Sequence, residues 1–282
     1  MKSGLELEHA GATGVPIRCF GGEDLRPDEP AQRQLEELAA LPGVQEHVAV
    51  LPDVHYKPRN PSPSGTVVCT SDVIVPRAVD DGINCGMRSF ATNLPASEFT
   101  PQRIDSLFER LLESVPPQRH AEPLLNEEDC ADFLAHGLGK LVAPLELPVD
   151  ELLRTENGGR FDLGLTPEAV RAALPAKMIA KHRASLGVLG AGNHFLELQE
   201  IVEVCDPEAA RRLELSEGQA VFMLHSDSGK LGKKLLKYVH AEAERLFRAP
   251  GQSELFAIPV DSDVGQRYLA CLTATMLSLI HI

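Results

Sequence analysis

The chain has 282 residues, of which 43% are hydrophobic and 24% are charged, the balance of an ordinary soluble globular protein. No apolar run approaches the ~18 residues that cross a bilayer, and the N-terminus lacks the apolar core of a secretory signal. Six scattered cysteines without a CxxC pair argue against a disulfide scaffold and against a zinc ribbon. These features predict a cytoplasmic protein without membrane contact.

The formal net charge of −14 argues against a protein that coats nucleic acid through a broadly basic surface. The charge is unevenly distributed. Residues 121–162 contain ten Asp or Glu and three Lys or Arg, whereas residues 225–248 contain six Lys or Arg and three acids. The basic strip fits a local phosphate site and equally fits one solvated face of a helix.

Helical periodicity is clearest in four segments. Residues 29–42 repeat leucine at helical spacing and stop at Gly43, and residues 100–115 open with an N-capping threonine followed by proline. Residues 166–176 have the same Thr-Pro opening, and residues 230–248 form a basic amphipathic pattern.

Strands are predicted at residues 48–51, at 66–76 as one or two buried strands, at 194–204 and at 219–225. Because helices and strands alternate irregularly, a mixed α+β domain is favoured over a doubly wound sheet. The acidic segment 116–162 is rich in proline and glycine and is predicted to be a surface excursion.

Two short segments combine carboxylates with a potential metal ligand or base. In LPDVH, residues 51–55, an extended chain would point Asp53 and His55 to the same face, where the carboxylate can fix the imidazole tautomer. The alternative is a surface turn after the proline. In DDGINCGM, residues 80–87, the Cys85 thiolate with nearby carboxylates could bind a transition metal, or Cys85 could be a small buried hydrophobe.

Two glycine-containing loops follow later in the chain. GVLGAGNHFLE, residues 187–197, suggests backbone N–H groups that cradle a phosphate, but it matches neither the Rossmann nor the Walker pattern. His194 and Glu197 could be a ligand and a base, or the start of a strand. MLHSDSGKLG, residues 223–232, leads from a strand into the basic helix, whose N-terminus could hold an anion.

These four segments, in this order and at these distances, resemble the RtcB family of RNA ligases, the tRNA-splicing ligases. RTENGGRF at residues 154–161 and VGQRYL at 264–269 are also similar to that family, and the resemblance covers roughly residues 45–275. It implies an RtcB-like catalytic domain that joins an RNA 3′-phosphate or 2′,3′-cyclic phosphate end to a 5′-hydroxyl end. Family members use GTP and Mn²⁺, through a guanylylated histidine.

The resemblance also implies residue roles. Cys85 matches a bridging thiolate, and His194 and His225 match imidazole ligands of a site for two Mn²⁺ ions. Asp53 matches the carboxylate that orients the nucleophilic histidine. The segment that contacts the guanylate matches Asn193, His194, Phe195, Leu196 and Glu197.

The sequence departs from the family pattern at the site itself. The family's metal-binding aspartate corresponds to Gly82, and Asp81 lies one residue earlier. Either Asp81 is brought in as the ligand, or one metal has one ligand fewer. The family's HSGSRGLG loop reads HSDSGKLG here, so its arginine is absent and Lys230 lies one place later, a point charge in place of a bidentate fork.

The resemblance places the family's last metal-binding histidine and its guanylylated histidine downstream of residues 265–269, so the nucleophilic histidine is absent from this chain. Residues 1–276 are therefore predicted to be the N-terminal part of the catalytic domain, incomplete at the C-terminus and unable to ligate alone. Residues 277–282, LSLIHI, are the translation of the sequencing-adapter sequence CTGTCTCTTATACACATC and are predicted to be a non-native tail. The alternative is a short natural protein with an apolar C-terminal helix.

The leading interpretation is a GTP- and Mn²⁺-dependent RNA ligase of tRNA splicing or RNA repair, with RNA and GTP as its binding partners. A metal-dependent phosphoesterase that kept the metals and lost nucleotide transfer is the first alternative. A non-catalytic RNA end-binding protein is the second.

Overall fold

The computed structural model describes residues 5–7, 14–21, 25–58, 60–79, 85–115, 122–251 and 253–280. Strands and helices are both present in these residues, as the α+β prediction requires. The strands are β1 (Leu5–Leu7), β2 (Ile17–Cys19), β3 (Val44–His55), β4 (Ser64–Thr70), β5 (Val73–Ile74), β6 (Gly86–Pro95), β7 (Phe195–Glu200), β8 (Gln219–Ser226) and β9 (Ile258–Pro259). The helices are α1 (Glu29–Ala39), α2 (Pro101–Ser114), α3 (Glu127–His136), α4 (Asp150–Arg154), α5 (Pro167–Ala173), α6 (Ala176–His182), α7 (Pro207–Arg212), α8 (Gly229–Phe247) and α9 (Asp263–Ile280).

The chain divides into two compact units. The first comprises Met1–Asp81 and Leu236–Leu269, and the second comprises Gly82–Leu235 and Ala270–Ile282. No helix in the described part of the chain is both long enough and apolar enough to span a membrane.

In the first unit, α1 packs its apolar face against a sheet with the strand order β1-β2-β3-β4. The Asp28 carboxylate caps the helix by accepting a hydrogen bond of 2.9 Å from the Ala31 N–H, and Leu35 and Leu38 are completely buried. Gly43 has φ +89°, and a Cβ atom there would lie 2.4 Å from Val73 Cγ2, so glycine is required between α1 and β3.

The predicted segment 66–76 forms two strands, and the first of them is more exposed than expected. Strand β4 lies at the edge of its sheet, and Val67 on it is 55% exposed. Strand β5 pairs instead with β9, with Ile74 opposite Ile258. A single apolar run is therefore divided between two sheets.

In the second unit, β6, β8 and β7 form an antiparallel sheet with β8 in the middle. The register places Gly86 opposite Ser226 and Phe195 opposite His225. Since both neighbours run antiparallel to β8, the starts of β6 and β7 lie beside the end of β8. This edge of the sheet positions the candidate site.

The acidic segment contributes to the core of the second unit as well as to its surface. In α3, the side chains of Cys130, Phe133 and Leu134 are completely buried, while three of its four acidic residues occupy the first turn of the helix. Burial raises the pKa of the Cys130 thiol to about 12. The prediction of a surface excursion therefore describes the charged face of this segment and misses its buried face, because charge dominated its composition.

Helices α8 and α9 are amphipathic and apolar, respectively. Leu231, Leu235 and Val239 of α8 are buried, whereas its lysines are exposed, as the basic amphipathic pattern predicts. Helix α9 continues into the residues predicted to be a non-native tail, and Leu277 in it is 1% exposed.

Candidate metal centre

Three potential metal ligands lie at the ends of three neighbouring strands in the second unit. Cys85 directly precedes β6, His194 directly precedes β7, and Asp227 directly follows β8. Because the starts of β6 and β7 lie beside the end of β8, the sheet brings the three side chains to one edge. Segments that are far apart in the sequence thus form one cluster.

The ligand atoms of Cys85, His194 and Asp227 all lie within 4.8 Å of one another. His194 Nε2 is 3.5 Å from Asp227 Oδ2, and their side chains are 8% and 19% exposed. Two nitrogen or oxygen ligands of one metal ion lie about 3.0–3.4 Å apart, given bond lengths of about 2.1 Å. The His194–Asp227 separation is thus close to that of two ligands sharing an ion.

Gly190 makes room for the imidazole of His194. A Cβ atom at Gly190 would lie 2.0 Å from His194 Nδ1, and its φ is +99°. The hydroxyl of Ser226 donates a hydrogen bond of 2.7 Å to the carbonyl oxygen of Leu189, which ties this loop to the end of β8. The glycine that sequence analysis associated with phosphate binding therefore has a packing role beside a candidate ligand.

His225 borders the cluster from within β8. Its ring centroid is 5.7 Å from that of His194, in an edge-to-face arrangement, and 5.4 Å from that of Phe195. His225 is not one of the three residues whose ligand atoms lie within 4.8 Å of one another. The structure therefore brings Cys85 and His194 together and leaves His225 adjacent, and their sharing of one metal site stays a prediction.

The cluster has a donor set that fits a divalent transition metal. Thiolate, imidazole and carboxylate are all metal ligands, and three protein ligands leave positions open for water or substrate. The Nδ1 atoms of His194 and His225 are buried and have no hydrogen-bond partner among the described residues, which is unusual for imidazoles that serve only packing. The residues present therefore fit a metal ion.

The segment predicted to contact the guanylate begins at the cluster and continues along β7. Phe195 and Leu196 are half-buried, whereas Asn193 and Glu197 are exposed. The Glu197 carboxylate accepts a hydrogen bond of 2.8 Å from Gln199 Nε2. This segment thus offers exposed polar groups directly beside the candidate metal ligands.

The Asp53 and His55 segment lies in the first unit, at the end of β3. Both residues are exposed, and His55 Nδ1 is 2.8 Å from the main-chain oxygen of Asp53. The segment is extended, as one interpretation required, but the observed partner of His55 is the backbone and not the Asp53 carboxylate. The role of Asp53 stays a prediction, and Asp81 lies outside the described residues.

Positive charge gathers around His182 at the end of α6. Burial lowers the pKa of His182, and Lys181, Lys234 and Lys230 lower it further. The basic strip of α8 is therefore, in part, a cluster shared with α6. Such a cluster is compatible with phosphate binding.

Sequence analysis missed Asp227. Its segment was recognised, but no role was given to the aspartate. The sequence does contain one signal, because Asp227 lies two residues after His225 at the end of a predicted strand. That signal identifies a candidate ligand only when the pairing of β7 with β8 is known, and residue periodicity does not reveal strand pairing.

Comparison with known proteins gives a consistent result. The family model described as tRNA-splicing ligase RtcB matches residues 34–277. The chain is 33% identical over 274 residues to a tRNA-splicing ligase RtcB of Thermococcus kodakarensis, covering 92% of this chain and 55% of that protein. It is 30% identical over 250 residues to the RNA-splicing ligase RtcB homolog 2 of Entamoeba dispar, covering 86% of this chain and 46% of that protein.

The family match includes the whole strand-end cluster, from Cys85 to Asp227. The chain spans about half the length of these two curated relatives. The match nevertheless extends over most of the chain, and a match of this extent establishes membership. The chain belongs to the tRNA-splicing ligase RtcB family.

Proposed function

We propose that this chain acts in RNA ligation, in tRNA splicing or RNA repair, with GTP and Mn²⁺ as cofactors in the cytoplasm. The substrates are RNA ends that carry a 3′-phosphate or 2′,3′-cyclic phosphate and RNA ends that carry a 5′-hydroxyl. The observation that carries the proposal is the strand-end cluster of metal ligands, found in a chain that belongs to the RtcB family.

Within this proposal, Cys85 and His194 hold the metal, and His225 lies beside them. When bound, Mn²⁺ supplies positive charge that offsets the negative charge developing on phosphate oxygens. The His194 ring is buried, and Gly190 lies against its Nδ1 edge, so the surrounding residues hold the ring in one orientation. A ligand held in one orientation binds the metal without losing rotamer freedom.

The guanylate and the RNA phosphate require further contacts. Asn193 and Glu197 are exposed next to the ligands and offer hydrogen-bonding groups to a guanine nucleotide. The lysines around His182 offer charge to RNA phosphates. Both groups lie in the second unit, as the cluster does.

A metal-dependent phosphoesterase is the second candidate, and the HSDSGKLG loop favours it. The family's arginine would hold the phosphate bidentately in a fixed orientation, whereas Lys230, one place later in the loop, is a flexible point charge. A loosely oriented phosphate slows ligation more than hydrolysis, because ligation requires two bound substrates to be aligned whereas water can attack from solvent.

The test measures binding by the 282-residue chain of short RNAs that end in a 3′-phosphate or a 3′-hydroxyl, with and without Mn²⁺ and GTP. We expect Mn²⁺ to strengthen binding of the 3′-phosphate RNA, and we expect GTP binding to require Mn²⁺. The covalent step is tested separately with radiolabelled GTP. An acid-labile GMP adduct supports the ligase and neither alternative.

Other outcomes contradict the proposal. Opening of a 2′,3′-cyclic phosphate without GTP and without joined RNA indicates the phosphoesterase. RNA binding that ignores both Mn²⁺ and GTP indicates an end-binding protein.

A further inference from the structure

We infer that Asp227 is a direct ligand of the metal that Cys85 and His194 bind, and that it shifts the preference of this site toward Mn²⁺ and away from Zn²⁺. The inference rests on the metal dependence in the proposed function. The sequence offered Asp81 as the carboxylate ligand, with a site that has one ligand fewer as the alternative.

The first argument is position. Asp227 is the first residue after β8, at the edge where β6 and β7 begin. Its Oδ2 atom is 3.5 Å from His194 Nε2, which is longer than a good N–H···O hydrogen bond and close to the spacing of two ligands on one ion. Its side chain is 19% exposed, so the carboxylate lies mostly within the cluster and remains open to a bound ion.

The second argument comes from His194. Its side chain is 8% exposed, and its Nδ1 atom is buried without a hydrogen-bond partner in the part of the chain that the structure describes. The close approach of Gly190 covers the Nδ1 edge, and the Nε2 edge faces Asp227. An imidazole in this orientation presents its Nε2 atom to the cluster, beside the carboxylate of Asp227.

The third argument is the chemistry of the donors. A thiolate and an imidazole on their own suit Zn²⁺, whereas carboxylate oxygen suits Mn²⁺. Position 82 carries glycine and offers no carboxylate, while Asp227 contributes one from the end of β8. Loss of this oxygen should therefore weaken Mn²⁺ binding more than Zn²⁺ binding.

A positioning role for Asp227 predicts a different result. If the carboxylate only orients the His194 ring through a hydrogen bond, its loss changes the quality of the imidazole ligand for every metal. Affinities for Mn²⁺ and Zn²⁺ would then fall by the same factor.

The experiment uses Asp227→Asn in the 282-residue chain, because the amide keeps the shape of the side chain and removes its charge. Mn²⁺ and Zn²⁺ affinities are measured by calorimetry, with a competing chelator for Zn²⁺. Loss of a group that merely supports a metal ligand already lowers metal affinity by about 10-fold or more. We therefore expect the loss of Asp227 to lower Mn²⁺ affinity by at least ~10-fold and Zn²⁺ affinity by a smaller factor. The sulfur-to-metal absorption band of the Co²⁺-loaded chain should persist, which shows that Cys85 still binds and the site is folded.

Asp81→Asn tests the competing carboxylate of the Cys85 segment. Asp105→Asn is the matched control, since it removes the same charge from an exposed position on α2. We expect the Mn²⁺ affinity of Asp105→Asn to equal that of the unmodified chain. Asp227→Ser repeats the test with a smaller side chain, in case the amide disturbs the loop.

Equal losses for both metals, or a loss in Asp81→Asn with none in Asp227→Asn, would overturn the inference. Mn²⁺ binding that neither Asp227 variant changes contradicts the ligand role alone. A chain that binds no Mn²⁺ in its unmodified form contradicts the proposed function as well.

Discussion

Two strands of this protein end with an aspartate and a histidine spaced two residues apart, in opposite order. In the first unit, Asp53 and His55 end β3 in exposed positions, and the imidazole contacts the protein backbone. In the second unit, His225 is the penultimate residue of β8 and has a buried Nδ1 atom, and Asp227 after the strand faces the imidazole of His194. The same spacing thus produces a surface feature in one unit and a ligand cluster in the other.

The difference lies in what surrounds each strand end. The pairing of β2 with β3 stops at Val50, and the pairing of β3 with β4 is irregular between Val50 and His55. Strand β8, in contrast, is flanked to its end by two antiparallel neighbours that begin there. The candidate site therefore arises because three strand ends lie side by side, and not because an aspartate and a histidine are spaced two residues apart.

The sharpest way to break this comparison is to remove one histidine from each strand end. We expect His194→Ala to lower Mn²⁺ affinity by more than ~100-fold, because it deletes a ligand outright and the loss of a supporting group already costs 10–100-fold. His55→Ala should leave the affinity unchanged, because its Nδ1 atom is already paired with the backbone. Calorimetric titration with Mn²⁺ measures both variants, and equal losses would show that the two strand ends are functionally alike.

A pair of glycine variants tests whether the packing around His194 is part of the site. Gly190→Ala would place a Cβ atom 2.0 Å from His194 Nδ1, whereas a Cβ atom at Gly192 meets nothing within 4 Å. Both glycines have a positive φ, +99° and +84°, so both variants suffer a similar backbone strain of ~1–3 kcal/mol.

Only Gly190→Ala should also displace the imidazole. We expect it to weaken Mn²⁺ binding by ~10-fold or more and Gly192→Ala to leave binding nearly unchanged. Thermal unfolding of both variants measures the loss of stability from the backbone strain that they have in common. Equal effects of the two variants on metal affinity would mean that the ring position does not depend on Gly190.

The lysine cluster offers a prediction about RNA. Lys234→Glu should weaken RNA binding several-fold and reduce the dependence of binding on salt, because one phosphate contact is lost. Lys177→Glu is the control, since Lys177 is an exposed lysine on α6 and makes the same change in net charge. Fluorescence anisotropy at several salt concentrations compares them, and matching curves would indicate a general charge effect.

Much of the local structure could be predicted from the sequence, because its causes are local. The capping aspartate and leucine spacing of α1, the Thr-Pro opening of α2 and the amphipathic pattern of α8 each depend on neighbouring residues. The buried face of α3 was not predicted, because its apolar residues are interspersed with acidic ones in a proline-rich segment.

The candidate site divides in the same way. Cys85 and His194 could be singled out by residue type and by resemblance, since each stands beside a conspicuous glycine segment. Asp227 could not, because its significance appears when β8 is placed between β6 and β7. Strand order is a property of long-range pairing, which local periodicity does not encode.

The smallest expected effect concerns pH and the stability of the second unit. The pKa of His182 is lowered in the folded chain by burial and by three lysines, relative to about 6.5 in an unfolded chain. Between these two values the unfolded chain binds more protons than the folded one, so stability is highest above about pH 6.5 and falls as the pH drops toward the folded pKa. His182→Gln cannot bind that proton and should lose less stability between about pH 7 and pH 5. Because water screens the lysine charges, the difference should be below ~1 kcal/mol, and urea unfolding at a series of pH values measures it. A variant that loses stability as steeply as the unmodified chain would show that other groups account for the pH dependence.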